Sequence, residues 1–227
     1  MQATEARRWR FKGREMEGAV ARWYARVRRS GGQIEEYRRQ AAQLTKGLPD
    51  GAAVLEVAPG PGYMAIEMAR LGRFQITGLD ISHTFVQIAS KNAREAGVSI
   101  DFRQGDAAVM PFAPESFDLV VCQAAFKNFV QPASALDEMH RVLRGGGTAV
   151  IHDMNHAASH EEIEKEVAAM KLGRLNTFTT RATLEMLKRR AYSTAQFQRL
   201  AAESPFQTCE ISTAGIGLEV RLTKANA

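Results

Sequence analysis

Between residues 53 and 153, apolar runs of strand length alternate with longer segments of helical periodicity. The predicted strands are 53–58, 75–80, 99–104, 117–123 and 148–153, the last preceded by the run RGGG at 144–147. The predicted helices between them are 62–71, 83–96 and 133–143. Strands and helices that alternate at this spacing form right-handed βαβ units, whose parallel sheet is buried on both faces. The pattern therefore predicts an α/β domain.

The segments on either side of this alternation complete the predicted architecture. Two further helices are predicted at 15–29 and 34–47, a charged helical cap at about 157–190 and a helix at 194–203, opened by Ser193 or Thr194. The last segments, joined at 215–217, are typical of an antiparallel hairpin that ends the sheet. A chain of 227 residues is long enough for one α/β domain and too short for two. We therefore expect a helical lid at 1–48 and a main domain at 49–227.

Composition excludes several other classes of protein. An apolar fraction of 45% and a charged fraction of 24% are typical of globular chains, and no apolar run approaches the roughly 18 residues of a membrane span. The first residues contain no apolar core of a secretion signal. Cys122 and Cys209 are far apart and form no CxxC pair, so a disulfide scaffold is not expected. A reducing cytoplasm is the expected location.

The positive charge is concentrated near the N-terminus. Residues 1–46 carry twelve Lys or Arg and five Asp or Glu, so the remaining residues are slightly acidic although the whole chain is +5. Such a segment attracts nucleic acid, an anionic membrane surface or an acidic substrate, and it is equally typical of solvated helix faces. The arginines at 22, 26, 28 and 29 are candidates to attract an anionic acceptor.

A glycine-rich turn follows the first predicted strand in VLEVAPGPGYMAIEMARLG, residues 54–72. Gly60 and Gly62 allow a ligand to approach the backbone and the amide groups at the start of the next helix. Taken alone the turn is ambiguous, because Gly60-x-Gly62-x-x-Ala65 also satisfies the dinucleotide fingerprint. The same glycines are also what a tight strand-to-helix turn requires.

Three acidic residues distinguish these possibilities. Glu56 lies in the first strand, where its charge suits a cationic ligand and would repel a pyrophosphate. Asp80 ends the second strand, in position to accept hydrogen bonds from a ribose diol. Asp106 follows the third strand, in position to accept from an adenine amine. Each has an ordinary structural explanation as a cap or turn residue, but their joint spacing favours an adenosyl ligand with a cationic group.

With these residues the sequence resembles the class I S-adenosylmethionine-dependent methyltransferases, in the branch of the ubiquinone/menaquinone-biosynthesis and type 11 enzymes. The resemblance covers about residues 50–155 and rests on VLEVAPGPG, TGLDIS, RQGDAAVMPFAPESFDLVVCQAAF and LDEMHRVLRGGGTAVIHD. It implies a Rossmann-like three-layer sandwich with N-terminal helices and an inserted helical cap. Its mostly parallel, seven-stranded sheet would end in an antiparallel hairpin.

The resemblance also implies a set of residues that bind S-adenosyl-L-methionine, with S-adenosylhomocysteine as the product. The methionine part would lie against the glycine turn, the ribose and adenine near the ends of the second and third strands, and the sulfonium near the end of the fourth. The implied residues are Glu56, Ala58, Gly60, Gly62, Asp80, Ile81, Asp106, Ala107 and Gln123. The chain departs from the family at Ala58, where glycine is usual, and at Pro59, where a small residue is frequent.

Methyl transfer from a sulfonium requires alignment and exclusion of water, and a base only when the acceptor must lose a proton. His152, at the end of the fifth strand, is the candidate base, and Lys127 and Asn128 are candidates to orient or deprotonate the acceptor. Each also has an ordinary structural explanation. His156 and His160 could share a helix face toward a metal, but the family's metal ligands do not match here, so no metal is expected.

Aromatic residues are the candidates for the acceptor side of the site. In the family, the N-terminal helices close over the cofactor and the acceptor pocket, which implies Trp23 and Tyr24 as contacts. Phe126 and Phe129 are candidates to face an apolar acceptor. All four could instead be ordinary packing residues. The expected acceptor is a small aromatic or apolar metabolite, methylated at O, N or C.

Other functions compete with this hypothesis. A nicotinamide-dependent oxidoreductase is favoured only by the glycine pattern. Nucleic-acid modification would use the basic N-terminus, but the fourth-strand end QAAFKN lacks the NPPY-like or paired-cysteine motifs of base methyltransferases, so a nucleic-acid partner is not expected. A noncatalytic partner subunit of the same fold is a further alternative. The sequence leaves open whether the protein is a monomer or a homodimer.

Overall fold

The computed structural model describes residues 16–29, 31–170 and 174–226. The strands are β1 (Ala53–Val57), β2 (Gln75–Asp80), β3 (Asp101–Gln104), β4 (Phe117–Gln123), β5 (Leu143–Met154), β6 (Glu210–Ala214) and β7 (Gly217–Thr223). The helices are α1 (Gly18–Val27), α2 (Gly31–Leu44), α3 (Tyr63–Arg70), α4 (His83–Glu95), α5 (Pro132–Val142), α6 (His160–Ala169), α7 (Arg174–Lys188) and α8 (Thr194–Glu203). A short 3-10 turn at Phe126–Asn128 follows β4.

The strands form one seven-stranded sheet in the order β3-β2-β1-β4-β5-β7-β6. The first five strands are parallel, β7 runs antiparallel to β5, and β6 and β7 form the closing hairpin. The predicted fold class is therefore confirmed. Because the strand order reverses between β1 and β4, their carboxyl ends border the crevice in which α/β sheets of this kind bind ligands.

Helices cover both faces of the sheet, as buried parallel strands require. One face packs against α2 and α3, in a cluster that includes Ala41, Leu44, Met64, Met68, Val54, Leu119, Val121 and Val150. The other face packs against α5 and α8, in a cluster that includes Leu136, Met139, Phe197, Leu55, Val120 and Ile151. Side chains alternate between the faces along a strand, so Glu56 and Gln123 belong to the α2–α3 face and Asp153 to the α5–α8 face.

Among the described residues, three helices begin with a serine cap. The side chain of Ser82 accepts from the backbone N–H of Phe85 at the start of α4. Ser159 and Ser193 each form a reciprocal capping box, with Glu162 and Gln196, at the starts of α6 and α8. Helix α8 therefore has the predicted bounds, and Ser193 is its cap.

Several predicted boundaries were wrong by three residues or more, among them the starts of β5 and α2. Strand β5 begins at Leu143, five residues before the predicted start, because Leu143 pairs with Phe117 across a register shift. The glycines expected to precede the strand lie within it, and Gly146 adopts a φ of 77° and donates to the carbonyl of Lys224. Helix α2 begins at Gly31 rather than at residue 34.

The predicted cap region contains the helices α6 and α7, which share a small apolar cluster of Ile163, Val167, Leu184 and Leu187 with Met154. Within residues 16–29, 31–170 and 174–226, no helix combines the length and apolar character that a bilayer span requires. Because α2 shares its apolar cluster with the sheet, it is packed as part of the main body. The division into a lid at 1–48 and a main domain at 49–227 stays a prediction.

Candidate active site

A cavity lies at the carboxyl ends of β1, β2 and β4, beneath α1 and α2, with an empty volume of about 1180 Å³ that includes its open mouth. Twelve of the candidate site residues singled out from the sequence line it: Tyr24, Arg28, Glu56, Ala58, Gly60, Asp80, Ile81, Asp106, Ala107, Gln123, Asn128 and Phe129. These residues come from six separate segments of the chain. The strand order brings them together because parallel strands end at the same edge of the sheet.

Glu56 is the buried acid of the cavity. Its side chain is 3% exposed, and its Oε2 has no hydrogen-bond partner among the described residues. Burial raises the pKa of this carboxyl to about 8, and the charge of Asp80 adds to the rise, against a hydrogen bond from the backbone N–H of Ala65. A buried, unpartnered carboxyl oxygen at a cavity wall is costly for the fold, which is typical of a group that awaits a ligand.

The turn between β1 and α3 contains three residues with positive φ: Ala58 at 57°, Gly60 at 54° and Gly62 at 78°. A Cβ atom added to Gly60 would meet no protein atom within 4 Å, whereas one added to Gly62 would lie 2.9 Å from Ala89 and Phe102. Gly62 is therefore required by packing, and it does not line the cavity. Gly60 leaves its space open on the cavity side.

Ala58 is strained, because an L-residue with a side chain pays for this left-handed conformation. Its N–H donates to the carbonyl of Leu79, 2.7 Å away, which ties the turn to β2. Ala124, at the end of β4, has a φ of 56° and lines the same cavity. Backbone strain is thus located at the ends of both central strands, as is common where a fold builds a site.

Asp80 connects the glycine turn to the start of α4. Its Oδ2 accepts from the N–H of Gly60, and its Oδ1 accepts from the N–H of Ser82, both at 2.9 Å. Burial raises the pKa of this carboxyl to about 6, against these two hydrogen bonds. Asp80 therefore fixes the turn as well as facing the cavity.

Asp106 and Ala107 lie in the turn after β3. The Oδ1 of Asp106 accepts from the N–H of Ala108 at 2.9 Å, and the N–H of Val109 donates to the carbonyl of Asp106. This closed turn forms part of the cavity wall. At the end of β4, the side-chain amide of Gln123 donates to Oε1 of Gln40, which ties the sheet to α2.

The sequence analysis named Tyr24 as a contact and Arg28 as a candidate to attract an anionic acceptor, but it missed Tyr37 of α2. The guanidinium of Arg28 lies over the rings of Tyr24 and Tyr37, at 5.7 and 5.9 Å from their centroids, and all three line the cavity. The Nε of Arg28 is buried and has no hydrogen-bond partner among the described residues. Burial raises the pKa of Tyr37, and both Arg28 and Glu56 lie near enough for their charges to shift it.

The spacing of residues in α1 agrees with the position of Arg28 beside Tyr24. Tyr24 and Arg28 are four residues apart, which places them on one face of α1. Tyr37 comes from the next helix, and nothing in its local sequence distinguishes it. Tyr24 also contacts Phe85 of α4 edge-on at 5.9 Å, which anchors α1 over the cavity.

Four other predicted site residues lie outside the cavity lining. His152 pairs through Nε2 with Oε2 of Glu219 on β7, at 2.5 Å. Lys127 is buried in an ion pair with Asp153. Phe126 is fully buried among Phe129, Tyr192 and Phe197.

Trp23, the fourth of these residues, is exposed on α1. The histidines weighed as metal ligands are also engaged elsewhere, since His160 pairs with Glu164 and Glu185, and Nδ1 of His156 lies 3.0 Å from the carbonyl of Lys188. Among the described residues, no group of three or more His, Cys, Asp and Glu side chains is arranged to hold a metal ion.

The fold and the cavity define a class of protein, the α/β domains that open a ligand crevice at a glycine turn. More particularly, residues 55–151 match the family model described as "Methyltransferase domain", of type 11. Residues 55–151 therefore match the class I S-adenosylmethionine-dependent methyltransferases of the UbiE and type 11 kind, and the resemblance is confirmed over this part of the chain.

Two bacterial relatives illustrate the match. The chain is 38% identical to the demethylmenaquinone methyltransferase of Deinococcus radiodurans over 107 residues, 47% of this chain and 44% of the relative. It is 35% identical to the ubiquinone/menaquinone biosynthesis C-methyltransferase UbiE of Bdellovibrio bacteriovorus over 106 residues, 46% of this chain and 45% of the relative. The chain thus spans about half the length of the curated relatives it matches.

Solved structures show the same fold over more of the chain. A structure from Methanococcus maripaludis, assigned as an S-adenosyl-L-methionine-dependent methyltransferase, superposes with a TM-score of 0.78 at 21% identity. The match covers 95% of this chain and 96% of the other chain. The [4+2]-cyclase SpnF superposes with a TM-score of 0.60 at 19% identity, and the match covers 88% of this chain and 85% of the SpnF chain. Because a cyclase shares the fold, activity has to be argued from the site.

Proposed function

We propose that this protein transfers the methyl group of S-adenosylmethionine to a small, aromatic or apolar acceptor in the cavity described above. The observation that carries the proposal is the unpartnered Oε2 of Glu56, buried beside a glycine turn that leaves ligand space at Gly60. A cationic ligand group favours the ionised form of this buried carboxyl and would pair with it, whereas a pyrophosphate offers it no opposite charge, so the site favours an adenosyl sulfonium donor over a dinucleotide.

The residues of the cavity fit such a donor at its amino-acid end. That end is zwitterionic, and the cavity offers one unpartnered group of each sign, Oε2 of Glu56 and Nε of Arg28. Glu56 would hold the ammonium and Arg28 the carboxylate, with the backbone at Gly60 close to the chain between them. Asp80 and Ile81 would hold the ribose side, and Asp106 and Ala107 the adenine. Gln123 would lie near the sulfonium.

When bound, S-adenosylmethionine supplies an activated methyl group on a positively charged sulfur. The chain's own contribution is orientation and exclusion of water. Tyr24 and Arg28 of α1 and Tyr37 of α2 form one wall of the cavity, and we propose that the N-terminal helices close it as a lid within residues 1–48. The helical cap at about 157–190 is proposed to cover the adjoining end of β5.

The acceptor side is mainly apolar. Ala124, Ala125, Phe129 and Val130 line it, and Asn128 contributes an amide. The candidate bases His152 and Lys127 are paired outside the cavity, with Glu219 and Asp153. We therefore propose an acceptor that ionises without help from a histidine, such as a phenol or an enol-type carbon, with its proton released to water. The printed names of the relatives, demethylmenaquinone and ubiquinone/menaquinone biosynthesis C-methyltransferases, support a quinol-type acceptor methylated at carbon.

Calorimetry with two ligands tests the donor assignment. We expect S-adenosylhomocysteine to bind with micromolar affinity and NADH not to bind, and Glu56→Gln to weaken binding of S-adenosylhomocysteine at least tenfold. Binding of NADH alone would overturn the proposal. Transfer of labelled methyl groups to demethylated naphthoquinols, phenols, amines and thiols then tests the acceptor, with incorporation into the quinol or phenol expected. Preferential labelling of thiols or amines would contradict the acceptor class.

A further inference from the structure

The outer face of α1 is unusual for a helix that packs on a domain. The helix buries two small side chains, Ala21 and Ala25. Its large apolar side chains face outward, with Val20 55% exposed, Trp23 61% exposed and Val27 54% exposed. Their spacing of three and four residues places them in one stripe along the helix. An exposed stripe that contains a tryptophan indicates an interaction surface.

The charged side chains within α1 are all positive, and the carboxylate of its N-cap Glu17 accepts from the N–H of Thr84. Helix α1 contains no acidic residue, and Arg22 and Arg26, one turn apart, are exposed next to Trp23. Neither arginine forms an ion pair with any described residue. By contrast, Arg38 and Arg39 of α2 pair with glutamates at 35, 36 and 67. Arg22 and Arg26 are thus available to an external anion along one side of the apolar stripe.

We propose that α1 docks this protein on an anionic phospholipid surface. Val20, Trp23 and Val27 would enter the boundary between headgroups and acyl chains, and Arg22 and Arg26 would lie on lipid phosphates. An apolar stripe with tryptophan flanked by arginines is the composition of helices that lie in this interface. A second copy of the chain is disfavoured as the occupant, because two arginine-bearing faces would repel each other.

Docking has a consequence for the cavity, and this consequence rests on the proposed function. Tyr24 and Arg28 lie on the same helix as the stripe and line the cavity. Docking of α1 therefore places this wall of the cavity at the membrane, where a lipid-soluble acceptor is concentrated.

Flotation of the full-length chain with vesicles tests the docking. The chain has two tryptophans, so Trp9→Phe leaves Trp23 as the single fluorescent reporter. With vesicles of equimolar phosphatidylglycerol and phosphatidylcholine, we expect binding, a blue shift of the Trp23 emission and protection from iodide. Vesicles of phosphatidylcholine alone should bind the chain at least about tenfold more weakly. The variant Arg22→Gln/Arg26→Gln should show a loss of the same size with the anionic vesicles.

Two variants separate the stripe from general apolar exposure. The triple variant Val20→Ser/Trp23→Ser/Val27→Ser should lose flotation while it keeps its thermal unfolding midpoint. Leu71→Ser, an exposed apolar residue just after α3 at the opposite edge of the sheet, should bind vesicles like the parent chain. Trp23 emission that is already blue-shifted and shielded without lipid would overturn the proposal, because another segment or protein copy would then cover the stripe. Equal binding to both vesicle types would overturn it as well.

Ligand binding by the same samples distinguishes a failure of membrane docking from a failure of the proposed function. S-adenosylhomocysteine binding is measured without vesicles. Loss of vesicle binding with intact ligand binding would overturn the docking and leave the methyl-transfer proposal standing. Vesicle binding by a chain that binds no S-adenosylhomocysteine would support docking and overturn the proposed function.

Discussion

The ammonium of Lys127 lies 2.6 Å from Oδ1 of Asp153, and both side chains are buried beneath the loop that follows β4. The same ammonium donates to the carbonyl of Ala124 at 2.5 Å, and Oδ2 of Asp153 accepts from the N–H of Lys127 at 2.9 Å. Ala124, Asn128 and Phe129 line the cavity on this loop. The ion pair therefore fixes a cavity wall to the end of β5.

Removing one partner of this pair should be much more costly than removing both. We expect Lys127→Met to reduce the free energy of unfolding by about 3 to 5 kcal/mol, because it leaves the Asp153 charge buried without a counter-ion. The double variant Lys127→Met/Asp153→Asn should recover at least half of this loss. Urea denaturation of the single and double variants measures the coupling. Additive effects of the two substitutions would contradict the assignment of a coupled pair.

Glu56 should reduce the stability of the ligand-free protein as the pH rises. Its folded pKa of about 8 lies above the ordinary value of 4.5, so the unfolded chain loses this proton first. The contribution of Glu56 to stability is thus favourable below pH 4.5 and is lost between about pH 4.5 and 8. Glu56→Gln should raise the free energy of unfolding at pH 8 by at most about 5 kcal/mol, at about 1.4 kcal/mol per pKa unit. The gain should vanish near pH 4, and a gain independent of pH would contradict this origin.

The same carboxyl should couple ligand binding to pH. At pH 7 the ligand-free Glu56 is mostly protonated, and a ligand ammonium favours its ionised form, so binding should release a proton. The affinity for S-adenosylhomocysteine should rise from pH 6 to 8 more in the parent chain than in Glu56→Gln. The ligand's own titration affects both proteins equally, so the comparison between them removes its contribution. Calorimetry in buffers of different ionisation enthalpy measures the proton release. An equal proton count for parent and variant would exclude Glu56 as the source.

The substitution Ala58→Gly should leave the protein as stable as the parent or make it more stable. Its φ of 57° costs about 1 kcal/mol for a residue with a side chain, whereas glycine adopts this conformation freely. We expect Ala58→Gly to leave stability unchanged or to raise it by up to about 1 kcal/mol. Ala65→Gly, within α3, is the matched control and should lose about 1 kcal/mol. Thermal unfolding measures both, and a similar loss in the two variants would show that Ala58 is unstrained.

Arg28 should determine affinity for the amino-acid end of the donor. We expect Arg28→Gln to weaken S-adenosylhomocysteine binding by about tenfold or more, because the guanidinium would pair with a ligand carboxylate. Arg29→Gln changes a neighbouring exposed arginine that does not line the cavity, and its affinity should stay near that of the parent. A decarboxylated ligand analogue should bind both variants equally. A further loss with this analogue in Arg28→Gln would contradict the carboxylate role.

Local spacing was sufficient to predict the sheet and the part of the cavity that lies at the ends of β1 to β4. Glu56, Gly60 and Asp80 lie at the ends of two strands that neighbour each other in sequence and in space, so strand periodicity and turn chemistry place them. Asp106 and Gln123 follow from the same rule for β3 and β4. These residues could be found without the tertiary structure because parallel strands share one carboxyl edge.

The tertiary structure alone decided which polar groups are available to a ligand. His152 meets Glu219, a residue 67 positions away, and Lys127 meets Asp153, because β5 pairs with β7 and packs beneath the loop after β4. Tyr37 joins Arg28 only when α2 folds against α1. Periodicity in the sequence specifies which face of an element is apolar, but a buried charge is satisfied by whichever long-range partner the packing brings to it. The sequence therefore determined where the cavity is, and the long-range contacts determined which polar side chains at the cavity remain unpaired.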